Sequence, residues 1–469
     1  MKTSEVFFFY NQSMNTKSSS LDSKFKELST LIQKEMKRLQ VPGVAIGVYH
    51  KGKEWTAGFG VTSVENPLPV TPDTLFQTGS ISKTFTGTLM MMLAEQGKVD
   101  LDAPVCRYIK DFKLADKSVA KKVTIRHLLT HTGGWVGDYF NDFGNGDEAL
   151  DRMVKEIAKL PQVQPLGKIW SYNNTGFNIA SRVIEVVTGK PYEKALQEML
   201  LDPVGLNMTF LYPSDILFTH RFVVGHYVEK KKIKVARPWA VGRATNGVGG
   251  IVSTVKDLLA YACFHMGDGK SNGKRVIQRK SLETMRKVQV NAGGRGDMGI
   301  TWFIRRVENV TVYYHGGATH GQQAFFLYIP EKDFALALLT NADEGGNIDA
   351  LSIPLEIYFG IKVKPPKPVD VPAVELKELI GRYKIGTECF DIKVKGKDLM
   401  LHHIPLGGFP TPDTPPGPAL PPVRLRFYEK DKIIGLDEPF KGAFGDILRD
   451  DKGRIQYFRI GGRAHLKIQ

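Results

Sequence analysis

Ser80 and Lys83 stand three residues apart in Phe76-Gln77-Thr78-Gly79-Ser80-Ile81-Ser82-Lys83-Thr84-Phe85, just ahead of the uncharged run Thr86-Gly87-Thr88-Leu89-Met90-Met91-Met92-Leu93-Ala94. A turn at Gly79 delivers Ser80 to the start of an apolar helix and puts Lys83 on the same face of that helix. An alcohol is a weak nucleophile until a neighbour takes its proton, and a lysine held in a dry site has its pKa lowered enough to do so. The unpaired N–H groups of a helix start also favour negative charge at Ser80. Taken alone, the pair reads more simply as an N-cap followed by a solvated lysine. Its weight comes from two stretches further along.

The first is Trp170-Ser171-Tyr172-Asn173-Asn174-Thr175-Gly176-Phe177-Asn178, which leads into a helix from Ile179 to Gly189. Tyr172 and an asparagine two residues on can point from a turn into one site. A phenol whose pKa is lowered by a nearby ammonium shuttles protons, and a carboxamide hydrogen-bonds a substrate amide. The second is Tyr313-Tyr314-His315-Gly316-Gly317-Ala318-Thr319-His320-Gly321. Glycines on a strand let another backbone approach closely, and such an edge facing Ser80 could supply an N–H group to an oxyanion. His127 and His131 have zinc-like spacing but no acidic or third ligand near them, which favours structural histidines. Residues 138–147, rich in Gly, Asn, Asp and aromatics, read as a loop bordering a cleft.

The elements that must carry these groups are visible in the patterning. Phe25, Leu28, Leu31, Ile32, Met36 and Leu39 fall at helical spacing, and Val44–Tyr49 and Trp55–Val61 form strands around a Lys51-Gly52-Lys53 turn. Asp333–Asn341 reads as a buried strand of the same sheet. Residues 1–22 are expected as a mobile tail and 23–362 as the main α+β domain, a sheet covered by helices. The proline-rich stretch 363–372 is a stiff linker. Beyond it, short alternating runs over 373–469 suggest a small antiparallel β-barrel or sandwich. Residues 405–422 form a long proline-rich loop that could reach over the cleft.

A chain of 469 residues, 42% hydrophobic and 24% charged, has ample material for such cores. The excess of 64 basic over 49 acidic residues is scattered, so it predicts a basic surface and no nucleic-acid partner. Three distant cysteines form neither a disulfide framework nor a Cys-x-x-Cys pair. The apolar run Val6–Tyr10 is too short for a leader core or a membrane span. The expectation is a cytoplasmic protein needing no metal and no cofactor, acting on a small molecule or short peptide, with association of identical chains left open.

Ser80-Ile81-Ser82-Lys83, Tyr172-Asn173-Asn174 and His315-Gly316-Gly317, in that order, resemble the serine β-lactamase and penicillin-binding-protein superfamily. The resemblance covers about residues 25–360 and is closest to the class C-like branch of D-aminopeptidases, DD-peptidases and β-lactamase-fold esterases. It implies a β-lactamase/transpeptidase-like fold in which Ser80 is acylated, Lys83 is its partner and Tyr172 shuttles protons. Asn174 would contact a substrate amide, the N–H groups of Ser80 and Ala318 would form the oxyanion hole, and His315, Gly316 and Gly317 would line the strand beside the substrate. The C-terminal part resembles the lipocalin-like domain of some D-aminopeptidase relatives. His315 departs from the usual lysine, which puts carboxylate recognition in doubt and resembles the D-aminopeptidase subgroup. The implied activity is a peptidase or amidase on small peptides, D-amino-acid peptides among them, with the stereochemistry left open. The alternatives are a carboxylesterase or β-lactamase of the same fold, or a non-catalytic sensor that is acylated without turnover.

Overall fold

The computed structural model describes residues 20–217, 220–229, 232–239, 241–386, 388–406, 415–416, 419–438 and 440–468. The expected tail up to residue 19, and residues 407–414 and 417–418 of the proline-rich loop, lie outside them. Helix α1 (Ser20–Arg38) begins inside the segment expected as tail, where Asp22 accepts a 2.7 Å hydrogen bond from the Trp55 indole.

An eight-stranded antiparallel sheet is the spine of the larger unit. Its strands are β1 (Gly43–His50), β2 (Lys53–Gly60), β3 (Val290–Asn291), β4 (Asp297–Met298), β5 (Phe303–Val307), β6 (Val310–Thr319), β7 (Gln322–Ile329) and β8 (Phe334–Thr340), in the order β2-β1-β8-β7-β6-β5-β4-β3. β8 is buried along its whole length, and its alternation divides cleanly between two cores. Phe334, Leu336 and Leu338 face a cluster that includes Leu28 and Ile32 of α1. Ala335, Ala337 and Leu339 face the core of α2 (Ser82–Glu95) and the helices beyond it.

Burial on every side is why α2 carries no charge between Lys83 and Glu95: residues 82–93 are all buried. Its hydroxyls find partners instead of water. Thr86 donates to the Gly247 carbonyl at 2.6 Å, and Thr88 lies 2.8 Å from the Tyr261 hydroxyl. Phe85 stacks on Tyr261 with centroids 4.0 Å apart. Helices α3 (Ala149–Ile157) and α4 (Thr175–Thr188) complete the helical side, while α5 (Val255–Met266) lies along the sheet, with Leu259 Cδ1 only 2.9 Å from where a Cβ on Gly47 would sit.

Strands β9 (Gly381–Ile385), β10 (Glu388–Lys395), β11 (Asp398–Pro405), β12 (Val423–Glu429), β13 (Lys432–Gly435), β14 (Phe444–Arg449), β15 (Ile455–Ile460) and β16 (Arg463–Lys467) close into an eight-stranded antiparallel barrel around its own apolar core. Residues 361–372 connect the two units without helix or strand. The barrel does not hang free. Its β15–β16 side grips the segment before Tyr172: Arg459 donates to the Trp170 carbonyl at 3.0 Å, Tyr457 to Val163 at 3.1 Å, and Gln164 to Ala464 at 2.8 Å.

Phe85→Ala empties a fully buried aromatic site in the helix that carries Lys83. The expected loss is about 3–5 kcal/mol of unfolding free energy, read from the shift in the urea denaturation midpoint.

Candidate active site

The turn Gly79–Ile81 precedes α2, so Ser80 sits at the mouth of the helix and Lys83 in its first turn. The Lys83 ammonium nitrogen is 3.0 Å from Ser80 Oγ and 2.8 Å from the Val248 carbonyl, and the side chain is fully buried. Burial pushes the Lys83 pKa well below its ordinary value, with Arg463 adding to the fall. A neutral amine fits these contacts: it donates to Val248 and offers its lone pair to the Ser80 hydroxyl.

Tyr172 approaches from the opposite side and hydrogen-bonds the Ser80 side chain, with its ring 5.1 Å from Lys83 Nζ. The expected lowering of its phenol is overturned: burial pushes its pKa up to about 12, outweighing the Ser80 hydrogen bond and the neighbouring guanidinium groups. A buried hydroxyl beside a neutral amine keeps its proton. The turn that aims it is built by Asn173, whose Oδ1 accepts from Gly176 N at 2.7 Å and whose own N–H donates to His131 Nδ1 at 2.9 Å. His131 stacks on the Tyr172 ring at 4.2 Å, so this histidine, read from sequence as structural, is the floor under the phenol.

The glycines of β6 explain the third motif. β5 pairs with β6 only from Val310 to Tyr314, which leaves 315–319 bonded to β7 on one side and free on the other. That free edge meets the Ser80 turn. A Cβ on Gly317 would lie 1.9 Å from the Thr78 carbonyl oxygen and 3.0 Å from Ser80 N, and one on Gly79 would lie 2.5 Å from Ala318 N. The N–H groups of Ser80 and Ala318 are thereby brought to one place, the arrangement an oxyanion hole needs. His315 is buried and neutral, its pKa pushed down to about 3 by burial and Lys83. Its Nδ1 donates to the Gly316 carbonyl, leaving Nε2 as a buried acceptor with no protein partner among the described residues.

Asn174 occupies the position before α4 without capping it through its side chain, which instead donates to Asp138 Oδ1 at 2.6 Å. Asp138 in turn holds Arg463 through two 3.0 Å hydrogen bonds. Arg463 comes from the β15–β16 hairpin of the barrel and lies 4.9 Å from the Tyr172 ring centroid, while Tyr172 N donates to Gly462 O at 2.8 Å. A second guanidinium, Arg295, lies 6.0 Å from the same ring. Neither arginine carries a signal in its own stretch beyond the glycines beside it. Only the loop around Asp138 was legible as a cleft border. Among the described residues no group of three or more His, Cys, Asp or Glu could hold a metal ion.

A serine and a buried lysine on a helix start, a tyrosine beside them and a glycine-rich strand alongside, mounted between a sheet and a helical region, fit the β-lactamase/transpeptidase-like fold. The Beta-lactamase family model matches residues 28–355, and the chain belongs to that family. Penicillin-binding protein 4 of Amycolatopsis lactamdurans is 33% identical over 309 residues, covering 64% of this chain and 81% of that protein. Among solved structures, SurE matches with a TM-score of 0.77 at 24% identity over 95% of this chain and 99% of its own, a span that includes the barrel. The D-amino acid amidase of Ochrobactrum anthropi SV3 matches with a TM-score of 0.60 at 22% identity over 71% and 99% of the two chains. Among the described residues no helix is long and apolar enough to cross a membrane.

Two outcomes test this geometry. Lys83 takes a proton only as the free amine, so the rate of Ser80 labelling by a fluorophosphonate falls as pH drops through its lowered pKa and levels off above it. Lys83→Arg, always protonated, removes that limb and lowers the plateau about 100-fold or more. Gly317→Ala forces the strand off the Ser80 turn and lowers the rate about 100- to 1,000-fold, the scale of one lost oxyanion donor.

Proposed function

We propose that the protein is a serine hydrolase working through an acyl-enzyme on Ser80, a peptidase or amidase of short peptides. The observation that carries this is the 3.0 Å contact between the Ser80 hydroxyl and the buried Lys83 amine, whose pKa burial pushes well below its ordinary value. Lys83 accepts the hydroxyl proton as Ser80 Oγ adds to the substrate carbonyl, and the oxyanion forms against the N–H groups of Ser80 and Ala318. Tyr172 gives its proton to the departing nitrogen as the C–N bond breaks, and regains one from Lys83. A phenol with a pKa of about 12 suits that role, because it is fully protonated when the amine needs its proton. In the second half, water adds to the acyl-enzyme and loses its proton to the same pair, and Ser80 leaves with a proton restored.

Asn174 and the free edge of β6 supply amide contacts on either side of the scissile bond. D-residues are the configuration to test first, since the D-amino acid amidase shares this fold. The decisive experiment is intact-protein mass spectrometry with fluorophosphonate, β-lactam and D-aminoacyl ester probes, followed by turnover of the matching amides. A single adduct on Ser80, released with time and absent in Ser80→Ala, is expected. Full turnover in Ser80→Ala would sink the reading, and an adduct that never hydrolyses would favour an acylatable sensor.

A further inference from the structure

His131 follows the short helix Ile125–Leu129 with a φ of +56°, a left-handed backbone that is uncommon outside glycine. It is buried, and its ring is enclosed by aromatic neighbours: it stacks on Tyr172 with centroids 4.2 Å apart, tilts against Phe177 at 5.1 Å and meets Trp170 edge-on at 6.0 Å. Its Nε2 is buried with no hydrogen-bond partner among the described residues. A phenylalanine would fill the same space without leaving a nitrogen unpaired.

The imidazole and the turned backbone together hold both flanks of Tyr172. The His131 carbonyl accepts from Ser171 N at 3.1 Å, and Nδ1 accepts from Asn173 N at 2.9 Å. The Asn173 carbonyl also lies 3.1 Å from Nδ1, but an amide N–H can use that nitrogen only as an acceptor, which places the ring proton on Nε2. The backbone N–H between these two, that of Tyr172, goes to the Gly462 carbonyl at 2.8 Å. Three successive donors are tied down, two of them by one residue, and the phenol stacks on that residue's ring. From this base its hydroxyl reaches Ser80. Ser80, Lys83 and Ala318 are carried by other elements, the turn before α2, α2 itself and β6.

A fixed phenol matters for one class of bond. Proton transfer needs the phenol within hydrogen-bond reach of the departing atom. An amine or an alkoxide leaves a tetrahedral adduct with that proton, whereas p-nitrophenolate and fluoride, stable as anions, leave without it. We propose that His131 is a positioning residue that aims the Tyr172 phenol at the leaving group, and so sets how well the site opens amides relative to activated esters. This rests on the acyl-enzyme reading and adds to it the residue on which the leaving-group range depends.

The test uses the full-length protein and the p-nitrophenyl ester, ethyl ester and methylamide of D- and of L-phenylalanine, compared by kcat/KM, which reports acylation. His131→Phe keeps the stacked ring and loses the Nδ1 acceptor. In it the ratio of p-nitrophenyl ester to methylamide or ethyl ester is expected to rise about tenfold or more, through kcat on the poor leaving group. His131→Asn places a carbonyl near the position of Nδ1 and tolerates the left-handed backbone, and should return the ratio to within about threefold of wild type. His131→Gln, with its acceptor one carbon further out, should not. Fluorophosphonate labelling at Ser80 shows that each variant is folded; where His131→Phe does not label, the Asn and Gln variants carry the comparison. A ratio unchanged in His131→Phe, or ester and amide rates that fall together in all three variants as for lost packing alone, overturns the positioning role while leaving the hydrolase reading intact. Failure of wild type to label at Ser80 overturns the hydrolase reading instead.

Discussion

The burial of one amine governs this site. Lys83 is enclosed by α2, the Asn246–Gly250 turn and the rings of Tyr172 and Phe177, with centroids 5.1 and 5.6 Å from its nitrogen. Desolvation of a charged ammonium is costly, so the pKa of this amine is pushed well down beside the Ser80 hydroxyl. Everything around it serves that enclosure. The uncharged α2 gives Lys83 a dry bed, and the hydroxyls of Thr86 and Thr88 are satisfied locally so that water is not needed there.

The barrel belongs to the same enclosure. Its hairpin bonds the backbone of Tyr172, braces Trp170 and brings Arg463 against the phenol. Through Asp138, Arg463 also fixes Asn174. The larger unit supplies Ser80 and Lys83, while the barrel sets the position of the turn that carries Tyr172 and brings Arg463 to it. A separate unit attached through an extended linker thereby becomes part of the site wall.

Charge shows how far motif and geometry diverge. Replacement of a strand lysine by His315 suggests a site without a permanent cation, and burial makes the imidazole neutral as that argument requires. The cations are nevertheless present, on a loop and on a barrel hairpin. The phenol shows the same divergence in the other direction. An ammonium neighbour was expected to acidify Tyr172, but burial lowers the pKa of that ammonium as well, and the desolvation of the phenolate wins.

The sequence by itself determined the hydrolase class, the order of Ser80, Lys83 and Tyr172, the glycine strand and the barrel. Those features are local: a three-residue offset on a helix, an alternation of period two, a glycine where two backbones must touch. Only the tertiary structure decided the direction in which the pKa values of Lys83, Tyr172 and His315 move, the stacking of His131 on Tyr172, and the arrival of Arg295 and Arg463. These depend on burial and on through-space distance. Asp138 and Arg463 meet across 325 residues of chain, and no spacing within either segment encodes that meeting.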